Sequence, residues 1–308
     1  MNILKLEFIN PLLRFLYKFW NTTDKLIRKL ILQRIRYSGI SKLEIDDVQF
    51  KMYSKFDDGI VDSLYFKNDS YSELIEAKIF KELAKQSKVI IDIGANTGLY
   101  SIISRKVNQK AEVYAFEPYH INVKRLRKNL IINEIQDVII SENALGDSNK
   151  EIEFTVPEKE QICDVLSADF EFSNKFYRNW INYKTVKVPQ ITLDYFLTHK
   201  KIPNINLIKI DVENYETFVL KGALDSLKKY SPVILIEFFV DDKKIEFYEK
   251  HLKPLGYISY TILKEGIIRT ETINQKSACR NFILSKNKSK EQFYPYSSMT
   301  ELINAIAN

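Results

Sequence analysis

Residues 89–101 read VIIDIGANTGLYS. An apolar run ends at an acid, Asp92, and a turn containing Gly94 and Gly98 follows at once. The pattern predicts a buried strand, a tight turn and a helix N-terminus. Such a turn lets backbone approach a ligand closely. A carboxylate beside a small-residue turn suits a nucleoside ligand with a polar, positively charged tail. The spacing is Gly-x-x-x-Gly, and no Lys-Ser/Thr follows Gly98, so the dinucleotide and phosphate-loop fingerprints both fail. An ordinary strand–turn–helix junction reads the same way.

Further acids fall at the ends of other apolar runs. These are Glu117 in AFEPYH, Glu142 beside Asn143, Asp211 and Glu213 in LIKIDVENYE with Glu216 a turn later, and Glu237 in VILIEFF. Lys209 sits among them. Open α/β sheets bind ligands outside the C-terminal ends of their strands. One acid there is ordinary. This many at one edge marks a polar site, because such charges would otherwise be desolvated without partners. The two acceptor oxygens of Glu117 match a ribose cis-diol. The plainer alternative is a helix-start acid, with Pro118 opening the helix.

The elements that must position these residues are a doubly wound set. Strands are expected at 89–93, 111–117, 137–142, 206–212, 232–238, 256–263 and 279–285. Helical patterns fall at 98–107, 120–133, 215–228 and 241–252. This alternation predicts an α/β fold, a Rossmann-like, mostly parallel seven-stranded sheet with helices on both faces. Residues 150–204 break the rhythm with short strands at 151–156 and 185–189. Between them Phe170, Phe172, Phe176, Tyr177, Trp180 and Tyr183 either stack on a sugar ring or pack a lid.

Ahead of this lie two lead-in segments. Residues 1–44 read as a basic amphipathic helical extension. Residues 45–87 read as short strands, a turn at Asp57-Asp58-Gly59 and an amphipathic helix over 72–86. The main domain is expected over 88–290, with a helix or tail over 291–308. Residues 1–36 hold eight basic and two acidic residues, so the whole +6 excess sits there. The body is balanced, which argues against a nucleic-acid track. Arg14 and Lys18 interrupt the N-terminal apolar run, so it is no membrane span. It either packs on the domain or lies on an anionic membrane surface. The expected location is cytoplasmic, with peripheral contact at the inner membrane face as the second alternative. Two distant cysteines, Cys163 and Cys279, predict no disulfide framework. His120, His199 and His251 show no zinc-ligand spacing, and no metal is expected.

Together these motifs resemble the FkbM family of class I S-adenosylmethionine-dependent methyltransferases. The resemblance is carried by DIGANTGLYS at 92–101, FEP at 116–118 with Leu126 and Asn129, and ALGD at 144–147. TLDYFL at 192–197, IKIDVENYE at 208–216 and KGA at 221–223 complete it. It covers about half the chain. It implies that Asp92, Gly94, Ala95, Asn96 and Gly98 surround the methionine end of S-adenosylmethionine. Glu117 would hold the ribose, and Glu142 and Asn143 would lie near the adenine. The family's Lys-Asp-Val-Glu-Gly-x-Glu pattern carries Asn214 where glycine is usual. Asparagine tolerates a left-handed backbone, so the turn can survive.

The implied chemistry is methyl transfer to a hydroxyl. Asp211 and Glu213 are the expected orienting and general-base groups, with Lys209 tuning their charge and Glu237 in second rank. An ion pair among Lys209, Glu213 and Glu216, or three acids around a divalent cation, are the alternatives. The expected acceptor is a sugar hydroxyl on a glycan, polysaccharide or lipid-linked saccharide. A small natural product, or cofactor binding without catalysis, is the alternative. A base-methylating enzyme would carry Asn/Asp-Pro-Pro-aromatic where this chain has Asp-Val-Glu-Asn.

Overall fold

A computed structural model describes residues 38–55, 57–65, 71–159, 182–273 and 280–307, with the side chains of 71–73 excepted. The expected helices over 1–37, the aromatic residues from Phe170 to Trp180 and both cysteines lie outside the described residues.

The chain enters through an antiparallel hairpin, β1 (Ser38–Ile45) and β2 (Val48–Lys55). The end of the expected helical extension is therefore strand. Leu43, Ile45, Val48, Phe50 and Met52 alternate with exposed residues and turn one face to the core. The hairpin turn lies at Asp46-Asp47. Asp57-Asp58-Gly59 instead starts a helix, α1 (Gly59–Tyr65), because the Asp58 carboxylate accepts the Val61 N–H at 3.0 Å. Helix α2 (Tyr71–Gln86) matches the expected 72–86 segment and inserts Phe80 and Leu83 into the core.

From there the elements alternate: β3 (Val89–Ile93), α3 (Leu99–Val107), β4 (Glu112–Phe116), α4 (His120–Ile132) and β5 (Val138–Ser141). Then β6 (Ala144–Leu145), β7 (Lys150–Pro157) and β8 (Tyr183–Ile191) form a separate small sheet, ordered β6-β8-β7. Helix α5 (Leu193–Lys200), β9 (Leu207–Ile210), α6 (Glu216–Lys221), α7 (Leu224–Tyr230), β10 (Val233–Glu237) and α8 (Asp242–Phe247) resume the rhythm. The end of the chain adds β11 (Ile258–Ile262), β12 (Gly266–Thr270), β13 (Asn281–Ser285), β14 (Phe293–Pro295) and α9 (Met299–Ile306).

Among the described residues the main sheet has nine strands, ordered β14-β12-β11-β13-β10-β9-β3-β4-β5. Seven are the expected strands; β12 and β14 extend the edge beyond them. The five from β10 to β5 run parallel, and the rest are antiparallel. Alternate residues feed two cores. Ile90, Val113, Ala115 and Leu235 pack against α2, α3 and α9, while Ile91, Phe116, Ile208 and Ile236 pack against α5 to α8. Helices therefore cover both faces.

The expected helix over 215–228 breaks into α6 and α7 at Gly222. A side chain there would meet the Gly146 carbonyl at 1.9 Å, so the ALGD and KGA segments touch through backbone. On the first face, β2 docks on α4 through two asparagines. Asn129 accepts the Tyr53 N–H at 2.8 Å and Asn133 accepts the Lys51 N–H at 2.9 Å. Chain order reverses between β3 and β9, where β4 and β5 extend one way and β10 the other. A crevice at such a reversal is where doubly wound sheets take ligands.

Candidate active site

The turn after β3 is built by hydrogen bonds to its neighbours. Gly94 and Ala95 donate their N–H groups to the Phe116 carbonyl at 3.0 and 2.9 Å, and Asp211 donates its own to Ile93 at 3.0 Å. Gly94, Asn96 and Gly98 all have left-handed backbones, with φ of 77°, 48° and 97°. Asp92 is fully buried and accepts the Ser101 hydroxyl at 2.7 Å, which ties the strand to the first turn of α3. Burial pushes its carboxyl up to about 6, against the Ser101 bond and the nearby Lys209 charge.

Glu117 is buried one strand over. One oxygen accepts the Asn96 N–H and the other the Tyr119 N–H, each at 2.9 Å. It therefore braces the glycine turn and the start of α4 together, while each oxygen keeps a second lone pair. Burial pushes it up to about 7. Glu142 and Asn143 lie beyond the end of β5. Glu142 is exposed and pairs with Arg127 at 3.1 Å, and the Asn143 amide donates to Ser141 Oγ at 2.9 Å.

Lys209 faces Asp92 across the β3–β9 pairing and is fully buried. Its ammonium lies 2.9 Å from Glu76 and 3.4 Å from Asp211. The alternative in which Lys209 pairs with Glu213 and Glu216 is replaced by this trio. Burial would lower the Lys209 titration, but Asp211 and Glu76 outweigh it and raise it well above the ordinary range. Glu76 was not singled out in the sequence, although it sits one turn before Phe80 on the buried stripe of α2.

Glu213 and Asn214 follow with φ of 50° and 74°. Asn214 thus takes the left-handed conformation expected of it, and Lys244 from α8 donates to its side chain. Glu216 accepts the Asn214 N–H at 2.8 Å and so holds the same loop from below. Glu237 ends β10, 3.9 Å from Arg280. Burial and then the charge of Asp211 push Glu213 up to about 9 and Glu237 up to about 8, and burial pushes Glu216 up to about 7.

These raised carboxyls set a pH dependence. A carboxyl titrating higher folded than unfolded stabilises the fold in acid and loses that contribution as pH rises. The window runs from the ordinary 4.5 of a glutamate to about 9, where Glu213 titrates. The melting temperature of the ligand-free protein is expected to fall across this window. Glu237→Gln should flatten the fall near pH 8. Scanning fluorimetry at stepped pH checks this, and a melting temperature that climbs through the window would contradict it.

The strand ends, the glycine turn and the acids thus meet at the chain reversal. Residues 92–259 match the Methyltransferase FkbM domain, more than half of the chain. The chain belongs to the FkbM methyltransferase family. Membership makes it an S-adenosylmethionine-dependent methyltransferase. Its curated relatives include the hexuronic acid methyltransferase AglP of Haloferax volcanii, 26% identical over 60% of this chain and 71% of that one. The 2-O-methyltransferase NoeI of Sinorhizobium fredii is 26% identical over 50% of this chain, and the matched stretch spans 65% of that protein. A solved FkbM methyltransferase from Methylobacillus flagellatus is a more distant likeness, 15% identical with a TM-score of 0.40. It covers 68% of this chain and 44% of that one.

The turn fits such a cofactor. Asp92 Oδ1 and Asn96 Oδ1 are buried acceptors with no hydrogen-bond partner among the described residues. Such atoms are costly unless something donates to them. Among the described residues no helix is long and apolar enough to cross a membrane.

Proposed function

We propose that this chain transfers a methyl group from S-adenosylmethionine to a hydroxyl of a sugar, on a glycan or lipid-linked saccharide. The observation that carries the reading is the buried Glu76–Lys209–Asp211 trio opening beside the glycine turn. Asp211 is its accessible member, with 36% of its side chain exposed. The hexuronic acid acceptor in the name of AglP supports a sugar.

S-adenosylmethionine, when bound, supplies a methyl carbon activated by a sulfonium. The residues around Gly94 and Gly98 hold its methionine end, with Asp92 fixing their turn from beneath. Glu117 takes the ribose with its remaining lone pairs, and Glu142 and Asn143 flank the base. Asp211 orients the acceptor hydroxyl and takes its proton as the C–O bond forms and the methyl C–S bond breaks, the departing sulfur keeping the electron pair as a neutral thioether. Glu213 is the second acid beside it, and Glu237 closes the far side. Membrane contact through residues 1–40 would bring the enzyme to a lipid-linked acceptor.

The test offers methyl-labelled S-adenosylmethionine with hexuronate-containing and neutral oligosaccharides. Label is expected in an alkali-stable ether on sugar. Asp211→Asn should lower turnover by about 100-fold or more while S-adenosylhomocysteine still binds. Label confined to protein or RNA, or full turnover in Asp211→Asn, would overturn the reading.

A further inference from the structure

Glu76 lies upstream of the family's matched region, on α2, and belongs to no motif of the fold's strand ends. Yet it makes the shortest contact to Lys209, 2.9 Å between oxygen and ammonium, and both side chains are at most 5% exposed. Lys209 is enclosed on its other sides. The Tyr100 ring centroid of α3 lies 5.0 Å away, and Asp211 lies 3.4 Å away toward the open end. The three residues come from α2 and from the end of β9, and only Asp211 has appreciable exposure.

Burial pushes the Glu76 carboxyl up, and the Lys209 ammonium in contact with it pulls the other way. With Glu76 ionised against that ammonium, the trio carries one net negative charge, and Asp211 presents it at the opening. With Glu76 neutral, Lys209 and Asp211 cancel. Charges at such separations in a partly buried site interact strongly. We propose that Glu76 is a positioning residue: it neutralises Lys209 from behind, leaving the charge of Asp211 free to attract the sulfonium of S-adenosylmethionine. The inference rests on the cofactor reading above and names a residue toward that cofactor.

The experiment exploits a pair of ligands. S-adenosylmethionine carries a positive sulfonium; S-adenosylhomocysteine lacks the methyl and the charge and is otherwise the same. A merely structural loss weakens both alike, whereas a lost charge weakens the cation alone. Calorimetric titration of the full chain with each ligand gives the ratio of their affinities. In Glu76→Gln the ratio is expected to shift against S-adenosylmethionine by about fivefold or more, with S-adenosylhomocysteine within about twofold of wild type. The double variant Glu76→Gln with Lys209→Met restores one net negative charge and should restore the ratio. Parallel weakening of both ligands, or an unchanged ratio in Glu76→Gln, overturns the inference.

If Glu76→Gln alone does not fold, the double variant decides. A ratio within about twofold of wild type, lost again on adding Asp211→Asn, supports the charge role; a ratio already lost in the double overturns it. Wild-type protein that binds neither ligand overturns the cofactor reading itself, an outcome distinct from all of these.

Discussion

Gly94→Ala is expected to weaken S-adenosylhomocysteine binding by about 100-fold or more. Two independent causes converge on this position. Its φ of 77° costs an L-residue about 1–2 kcal/mol. A methyl group there would also lie 1.8 Å from the Asp211 carbonyl oxygen and 2.9 Å from its carbon. Neither atom belongs to a side chain that can swing away. The turn after β3, or the loop after β9, must shift by something near an ångström, and misplacement on that scale costs about 100-fold in a positioned site. Gly39→Ala is the control. Gly39 has φ of 106° but nothing within 4 Å of the added carbon, so it isolates the conformational cost. Calorimetry on both variants checks the pair. Binding by Gly94→Ala within tenfold of wild type would mean that this turn does not wall the cofactor.

The second large effect concerns Lys209. Replacing it by methionine leaves Glu76 fully buried without its cation. Breaking one side of a buried pair costs about 3–5 kcal/mol, because the remaining charge is stranded. Lys209→Met should therefore lower stability by that amount above neutral pH. Glu76→Gln added to it should recover most of the loss, since it removes the stranded charge. Denaturant melts of the three proteins measure this. A double variant no more stable than Lys209→Met would show that Glu76 is not the partner that matters.

Much of the site could be read from residue order. Asp92, Gly94 and Gly98 announce a strand and a turn through local spacing alone. The acids of β4, β9 and β10 lie where apolar runs stop, and parallel topology brings such ends to one edge. Asn214 in place of glycine takes the left-handed conformation that asparagine tolerates. Glu76 was hidden for a physical reason. A glutamate in an amphipathic helix is ordinarily a solvated residue, and its partner lies far along the chain. Only the docking of α2 under β9 shows that it faces inward. The same holds for Asp58, whose place in an Asp-Asp-Gly run signals a turn but whose carboxylate caps α1. Strand β14 was missed because it is a three-residue edge strand completed by pairing with β12, and β12 because its Gly-Ile-Ile-Arg-Thr run, the return arm of a hairpin from β11, has no apolar–polar alternation of its own.

The way β2 meets α4 has an evolutionary side. Asn129 and Asn133 grip the N–H groups of Tyr53 and Lys51, and every residue except proline offers that group. The hairpin is thus held by something that most mutations leave intact. Its outward row, Ile40, Lys42, Glu44, Gln49, Lys51 and Lys55, is exposed. That row can drift, and acquire a new charge or apolar character, while Asn129 keeps its other bond, to the Thr97 carbonyl at 2.8 Å in the glycine turn. The outer surface of the lead-in is free to diverge at little cost to the chemistry beneath it.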